Sequence, residues 1–295
     1  MPVMTDETHT ERLVEARTAD GYLLEGAVLT PTGHDDGPRD RLPVVWMHGF
    51  TGRFYERHTL AIGRRCAARG SVFVTGNNRG HDLGTVVLSA TGGVGLRAGG
   101  WWERFEECRF DLAAWIDFAV GLGYPGVVLA GHSLGALKVV WYQARCQDER
   151  VKALISASGP VFITRRLREG AERVALAERL VAEGRGAELL PPDPGGRITS
   201  AETLVARARA DLDLYGLDAG DADVEAPIGR ISCPILFVLG SEEPEIATAA
   251  ELPLLRRNAR AATSVETLYV EGANHVYDGH ADRVGSGIAD WLDRL

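Results

Sequence analysis

The 295-residue chain lacks any apolar run of about 18 residues, the length a membrane-spanning helix needs. It has no Lys/Arg-rich run, and its net charge is −9. Nucleic acid and anionic lipid both select basic patches, so neither is expected as the main partner. Lysine itself is almost missing: Lys138 and Lys152 are the two in the chain, and arginine supplies the remaining basic side chains. That is a coding bias with no mechanism attached. Cysteine is sparse, and Cys66, Cys108, Cys146 and Cys233 form no C-x-x-C pair. Metal-ribbon and dithiol chemistry lose their spacing, and the four thiols read as reduced and packed. The opening MPVMTDETHTER carries acids and no apolar stretch of signal type, so the reading is cytoplasmic.

What the chain does have is 45% apolar content, enough for a large core, and no low-complexity segment. After a polar start expected to fray, two alternating runs flank Asp20-Gly21, a dipeptide suited to a type I′ hairpin. A Gly/Pro/Asp-rich loop follows from Thr32 to Arg41. Buried-type strands then alternate with helices. The strands are Pro43–His48, Ser71–Gly76, Gly126–Gly131 and Val151–Ser158; the helices are Tyr55–Arg69, Trp102–Val120 and Leu134–Arg145. Near-continuous Val/Ile/Leu runs separated by helices indicate a mostly parallel sheet covered on both faces, an α/β fold. The rhythm breaks over 160–227, which is rich in Arg, Glu, Ala and Leu and has helix-like runs at Ala171–Glu183 and Ala201–Leu214. Strands resume at Pro234–Gly240 and Ser264–Val270, and a helix from His280 to Leu295 ends the chain. The expected organisation is a core of residues 1–159 and 228–295, interrupted by a helical insertion at 160–227.

Gly131-His132-Ser133-Leu134-Gly135 matches G-x-S-x-G and falls between a strand and a helix. On such a turn the serine is forced into a strained backbone and its hydroxyl projects above the sheet, with glycines where side chains would collide. The helix N-terminus behind it favours developing negative charge. A serine hydroxyl needs a base to take its proton. With the nucleophile on this kind of turn the base comes last, after the final strand, where His275 stands. Of the other histidines, His48 belongs to an oxyanion region, His132 neighbours the serine, His9 and His34 fall in a tail or loop, and His58, His81 and His280 lack the position. An acid must hold the imidazole, and Gly240-Ser241-Glu242-Glu243 offers it after the preceding strand. Spacing from the glycine selects Glu243; Glu242 competes. The oxyanion needs two N–H donors, expected from Leu134 and from Phe50 in His48-Gly49-Phe50-Thr51-Gly52, with the Thr51 hydroxyl as a possible helper.

Weaker signals surround this set. Asn77–Asp82 reads as structural, with Arg79 and Asp82 bonding neighbouring loops and a substrate-facing His81 as the lesser reading. Thr91–Gly100 has neither a P-loop Lys-Ser/Thr nor a dinucleotide fingerprint, and reads as a mobile loop beside the site that could gate it. Thr51, His132, Trp101 and Trp102 are candidate pocket residues. Arg165, Arg166 and Arg168 form a basic cluster, a solvated helix face or a greeting for an anionic substrate. No Cys/His/Asp cluster has metal spacing, so no metal and no cofactor is expected.

Ser, acid and His in that order, GHSLG on a strand–helix turn and an HG loop together resemble the α/β-hydrolase superfamily over about Glu11 to Leu295. HGFTGRFYE, NNRGHD and GHSLGALKVVWY more narrowly resemble a poorly characterised branch of serine hydrolases from fungi and bacteria. The resemblance implies the α/β-hydrolase fold, Ser133, His275 and Glu243 as catalytic residues, donors at Phe50 and Leu134, and a helical cap at 160–227. A glutamate where aspartate is commoner is the main departure. The implied activity is hydrolysis of a carboxylic ester, thioester or lactone of a small-molecule acyl substrate through an acyl-enzyme. An acyltransferase or cyclase with the same residues, a lyase without an acyl-enzyme, and a non-catalytic ligand-binding protein on the same fold are the competing functions. Substrate identity and oligomeric state are not fixed by the sequence.

Overall fold

The computed structural model describes residues 8–33, 41–218 and 225–295. Most of the Thr32–Arg41 loop, His34 included, lies outside the described residues. The chain opens on the expected hairpin, β1 (His9–Arg17) against β2 (Tyr22–Pro31), antiparallel with Arg17 opposite Leu23. The connection is not a two-residue type I′ turn. The Thr18 amide donates to Tyr22 O and the Gly21 amide to Thr18 O, and only Gly21 of the pair takes a positive φ, +91°. The Thr18 side chain accepts from the Tyr22 amide, so a longer loop with its own hydrogen bonds displaces the tight turn.

Strands β3 (Val44–Met47), β4 (Phe73–Gly76), β7 (Val127–His132), β8 (Val151–Ala157), β9 (Ile235–Gly240) and β10 (Val265–Val270) run parallel in the order β10-β9-β8-β7-β3-β4. Beyond β4 the sheet continues antiparallel through β2 to β5 (Thr85–Ser89) and β6 (Leu96–Ala98). Alternate residues of the central strands enter two separate cores. Val45, Met47, Leu129 and Leu154 face α2 (Cys108–Gly121) and α3 (Leu134–Cys146). Val44, Trp46, Val128 and Ile155 face α1 (Arg57–Ala68) and the last helix, α8 (Ala281–Leu292). Burial on both faces explains why these strands read as unbroken apolar runs. Within the stretch predicted as the helix Trp102–Val120, Phe105, Leu112, Trp115, Ile116 and Ala119 are fully buried.

The segment between β8 and β9 carries α4 (Ile163–Glu169), α5 (Ala171–Ala182) and α6 (Ala201–Arg209). It has a small core of its own built on Ala177, Leu190, Ala201, Leu204 and Val205. Helix α7 (Leu252–Asn258) joins β9 to β10. Two expectations need correction. Thr91–Gly100 is not simply a loop: its second half is β6, paired with Thr85–Val87 of β5. Such short strands are held by tertiary pairing and have too few residues for a local pattern. Second, α6 stops at Arg209, short of Leu214.

Candidate active site

The parallel strands end on one edge, and every predicted chemical residue lies just beyond such an end: Phe50 after β3, Ser133 after β7, Glu243 after β9 and His275 after β10. This is where ligands bind on open α/β sheets. Ser133 has φ +57° and ψ −124°, a backbone no L-residue adopts without cost. Its amide donates to Ala157 O at 2.9 Å, which ties the turn to β8. The crossing is close: a Cβ on Gly135 would stand 2.4 Å from Met47 O, so only glycine lets α3 start against β3. The same approach brings Gly49 to Ser133; a Cβ there would lie 3.2 Å from Ser133 Oγ.

His275 Nε2 is 2.9 Å from Ser133 Oγ, and His275 Nδ1 is 2.8 Å from Glu243 Oε2. A carboxylate only accepts, so Nδ1 carries the proton and Nε2 is free to accept from the serine. Glu243 is fully buried. Its second oxygen, Oε1, accepts from the Gly240 amide and from Ser158 Oγ, both at 2.6 Å. Ser158 Oγ in turn lies 2.6 Å from Tyr277 OH. Since the Ser158 proton is given to the carboxylate, Tyr277 is the donor in that second contact. Sequence reasoning passed over Ser158 and Tyr277. Their signal is positional: Ser158 follows the end of β8 and Tyr277 lies two residues after His275, and both take a positive φ, +48° and +53°. Glu242, the competing acid, is exposed, and its amide donates to Ala273 O. The geometry brings Glu243, not Glu242, to the imidazole.

The amides of Phe50 and Leu134 donate to no protein acceptor among the described residues. Thr51 Oγ1 gives its proton to Phe50 O at 2.7 Å, so that hydroxyl is committed to its own loop and does not serve as a free helper. His132 is not a wall of an open cleft. It is buried, its Nε2 donates to His275 O at 2.7 Å, and its ring packs on His58 and His275 at 4.8 and 4.9 Å. Burial drives its pKa well below the usual histidine range, with the His58 and His275 rings adding to the effect. Trp101 and Trp102 meet edge to face at 5.9 Å. Trp101 O accepts from the Ser200 amide and Thr203 Oγ1, and Trp102 Nε1 donates to Ala187 O. The two tryptophans therefore hold the inserted helical segment.

Behind the His48–Gly52 loop runs a buried polar chain. His48 Nδ1 donates to Gly49 O, and its Nε2 accepts from the Asn78 amide. Asn78 Oδ1 accepts from Lys138 Nζ at 2.9 Å, and Lys138 is paired with Glu103. Burial, then Lys138, keeps His48 neutral by driving its pKa far down. Arg79 forms a separate cluster with Asp111, Asp20 and Glu107, which matches its expected structural role. Asp82 pairs with His81 and Arg53. Arg165 pairs loosely with Asp218 at 3.9 Å, and α4 buries none of its residues, so the Arg165, Arg166 and Arg168 cluster sits on an open helix face. A cleft of about 210 Å³ lies to the side, between Arg79, Arg97, Trp102, Glu103 and Glu202. Among the described residues no group of three His, Cys, Asp or Glu could hold a metal ion, and no helix is long and apolar enough to cross a membrane.

Chemically, a strained serine hydroxyl bonded to an imidazole whose other nitrogen is held by a buried carboxylate can give up its proton as the oxygen attacks a carbonyl. Two unpaired amides beside it can accept the charge that appears. The comparisons bear on the family and the fold. Residues 44–285 match a family model described as the alpha/beta hydrolase family. Among solved structures, Est1E from Butyrivibrio proteoclasticus with ferulic acid bound is similar at 20% identity and TM-score 0.67, covering 95% of this chain and 98% of that one. The Pyrococcus furiosus esterase Pf2001 is similar at 15% identity and TM-score 0.62, covering 100% and 96%. The hypothetical protein PA2218 from Pseudomonas aeruginosa is similar at 17% identity and TM-score 0.64, covering 100% and 95%. No curated protein matches the chain.

Proposed function

The chain belongs to the alpha/beta hydrolase family, and we propose that it is a serine hydrolase that cleaves a carboxylic ester, thioester or lactone through an acyl-enzyme on Ser133. One observation carries this reading: the unbroken line of Ser133 Oγ, His275 Nε2 at 2.9 Å, and Glu243 Oε2 at 2.8 Å from His275 Nδ1.

In the first half-reaction Ser133 Oγ attacks the acyl carbonyl and its proton passes to His275 Nε2. Glu243 stabilises the imidazolium and fixes the tautomer. The Phe50 and Leu134 amides take the tetrahedral oxyanion, with the N-terminus of α3 behind them. His275 then returns the proton to the leaving alcohol or thiol oxygen or sulfur, and the acyl-enzyme remains. In the second half water gives its proton to His275, attacks the same carbonyl, and Ser133 leaves with that proton restored. The helices between β8 and β9 act as a cap over the acyl site. Structural likeness to proteins described as esterases supports an ester as the bond cleaved.

A fluorophosphonate probe read by intact mass tests this. One adduct is expected on the parent and none on Ser133→Ala, with ester cleavage lost in the same variant. A folded parent that takes no label, or a Ser133→Ala variant that still cleaves esters, sinks the reading. A second outcome on the same residues is acyl transfer or cyclisation, which a cap sealed against water would favour. Product analysis with added alcohol decides it: mostly transferred acyl group would replace hydrolysis by transfer with the same residues.

A further inference from the structure

Helix α6 is fixed to the core by its first turn. Ser200 caps it by accepting from the Thr203 amide, and both the Ser200 amide and Thr203 Oγ1 donate to Trp101 O, at 2.6 and 2.9 Å. Arg207 lies one turn beyond Thr203 and so faces the same way, into the core. Its guanidinium carbon stands 4.7 Å from the centre of the Phe50 ring. Phe50 follows Gly49, which is packed against Ser133, so this charge sits on the cap side of the oxyanion loop.

The guanidinium is poorly served there. Its one hydrogen bond among the described residues runs from Nη2 to Glu103 Oε2 and is long, 3.4 Å. Glu103 is already taken by Lys138, through its other oxygen. Nε is buried and has no partner. Burial alone would raise the Glu103 pKa, but Lys138 and Arg207 together hold it below the ordinary range; for Arg207 burial prevails and lowers its own pKa. One carboxylate thus serves two buried cations, and an arginine with five donors uses one. Buried donors are almost always paired, and a guanidinium with a free Nε edge has the fork that fits a carboxylate at two points.

We propose that Arg207 is a substrate-binding residue that receives a carboxylate carried by the acyl group, so that the preferred substrates are half-esters or thioesters of dicarboxylic acids. This rests on the acyl-enzyme reading of Ser133. The carboxylate completes the pairing of Arg207 while the scissile carbonyl, at the other end of the acyl chain, reaches Ser133. The arginines of α4, exposed at Arg165 and Arg168 and half-buried at Arg166, are not needed for this.

The test compares chain-matched chromogenic esters: p-nitrophenyl hexanoate, octanoate and decanoate against the mono-p-nitrophenyl esters of hexanedioate, octanedioate and decanedioate. At the best chain length the parent is expected to prefer the acid-bearing ester by about 10- to 100-fold in kcat/KM, the size of a charged hydrogen-bonded pair. Arg207→Met should bring that ratio to about one and Arg207→Lys should keep part of it, with melting curves confirming that both variants fold. Calorimetry with free octanedioate supplies a readout that needs no turnover. Binding is expected for the parent and for Ser133→Ala, and is lost in Arg207→Met. A parent with no preference at any length and no dicarboxylate binding overturns the proposal, as does a preference that survives Arg207→Met in full. Ester cleavage persisting in Ser133→Ala would instead sink the serine mechanism, and dicarboxylate binding that depends on Arg207 would still stand.

Discussion

Ser158 Oγ donates to Glu243 Oε1 at 2.6 Å, on the side of the carboxylate away from His275. The contact locks the glutamate in place, because the Gly240 amide reaches the same oxygen and Tyr277 OH supports the serine. A glutamate has one more rotatable bond than an aspartate, and these three groups remove that freedom before substrate arrives. A hydrogen bond to a charged group is worth roughly 1.5–3 kcal/mol. Ser158→Ala is therefore expected to lower kcat by about 10- to 100-fold with little change in KM, and Tyr277→Phe by a smaller factor. Steady-state kinetics on a small chromogenic ester reads both. A variant whose KM rises while kcat holds would show that Ser158 shapes the pocket and does not position the acid.

The two neighbouring glutamates should separate cleanly. Glu243→Gln keeps the shape and removes the charge that stabilises the imidazolium, so kcat should fall by roughly 100-fold or more. Glu242 is exposed, and Glu242→Gln should stay within about 2-fold. Equal, small losses in the two variants would mean that neither carboxylate serves His275 during turnover.

The parallel sheet, the order of Ser133, Glu243 and His275 beyond its strand ends, and the approach of Glu243 rather than Glu242 to His275 were legible because each rests on local signals. Apolar runs mark strands buried on both faces, and a pentapeptide at a strand–helix junction carries its own steric logic. The Ser158–Tyr277 support was not legible, since it joins positions 119 apart in sequence. Nor was β6, three residues long and held by its partner. Lys138 was in view as one of two lysines but was read as composition. A lysine within LGALKVVWY, a run whose other residues are all buried, already requires a buried counter-charge, although the sequence does not say that Glu103 provides it. Arg207 was hidden differently: its helix was expected, but its approach to Phe50 depends on how the helices between β8 and β9 dock.

The Lys138–Glu103 pair yields a stability prediction. Both side chains are almost fully buried, so removing one leaves the other charged and without its main partner. Lys138→Met should cost about 3–5 kcal/mol in denaturant unfolding. The double variant Lys138→Met, Glu103→Leu should lose less than the sum of the two single changes, with a coupling of roughly 1–3 kcal/mol. Additive losses would show that the two charges do not depend on one another.

His58 offers a test by pH. It lies under the active site, its ring 4.8 Å from His132 and its Nε2 buried without a hydrogen-bond partner. Burial, aided by the charge of His275, lowers its pKa from 6.5 to about 4. Between those two values the unfolded chain holds a proton there that the folded protein does not. Stability tied to His58 is therefore complete above about pH 6.5 and is lost as pH falls toward about 4, with a limiting slope of about 1.4 kcal/mol per pH unit. Glu56, whose Oε2 is 3.7 Å from His58 Nε2, is shifted up by burial and works with the opposite sign, since the folded protein then binds its proton more tightly than the unfolded chain. The comparison must be made by difference for that reason. Urea unfolding of the parent and of His58→Phe across this range should show the variant losing less stability on acidification, by about 3 kcal/mol at the acid limit. Parallel curves would mean that His58 takes up its proton without opening the fold, and that the site beneath His132 is more open to water than its packing shows.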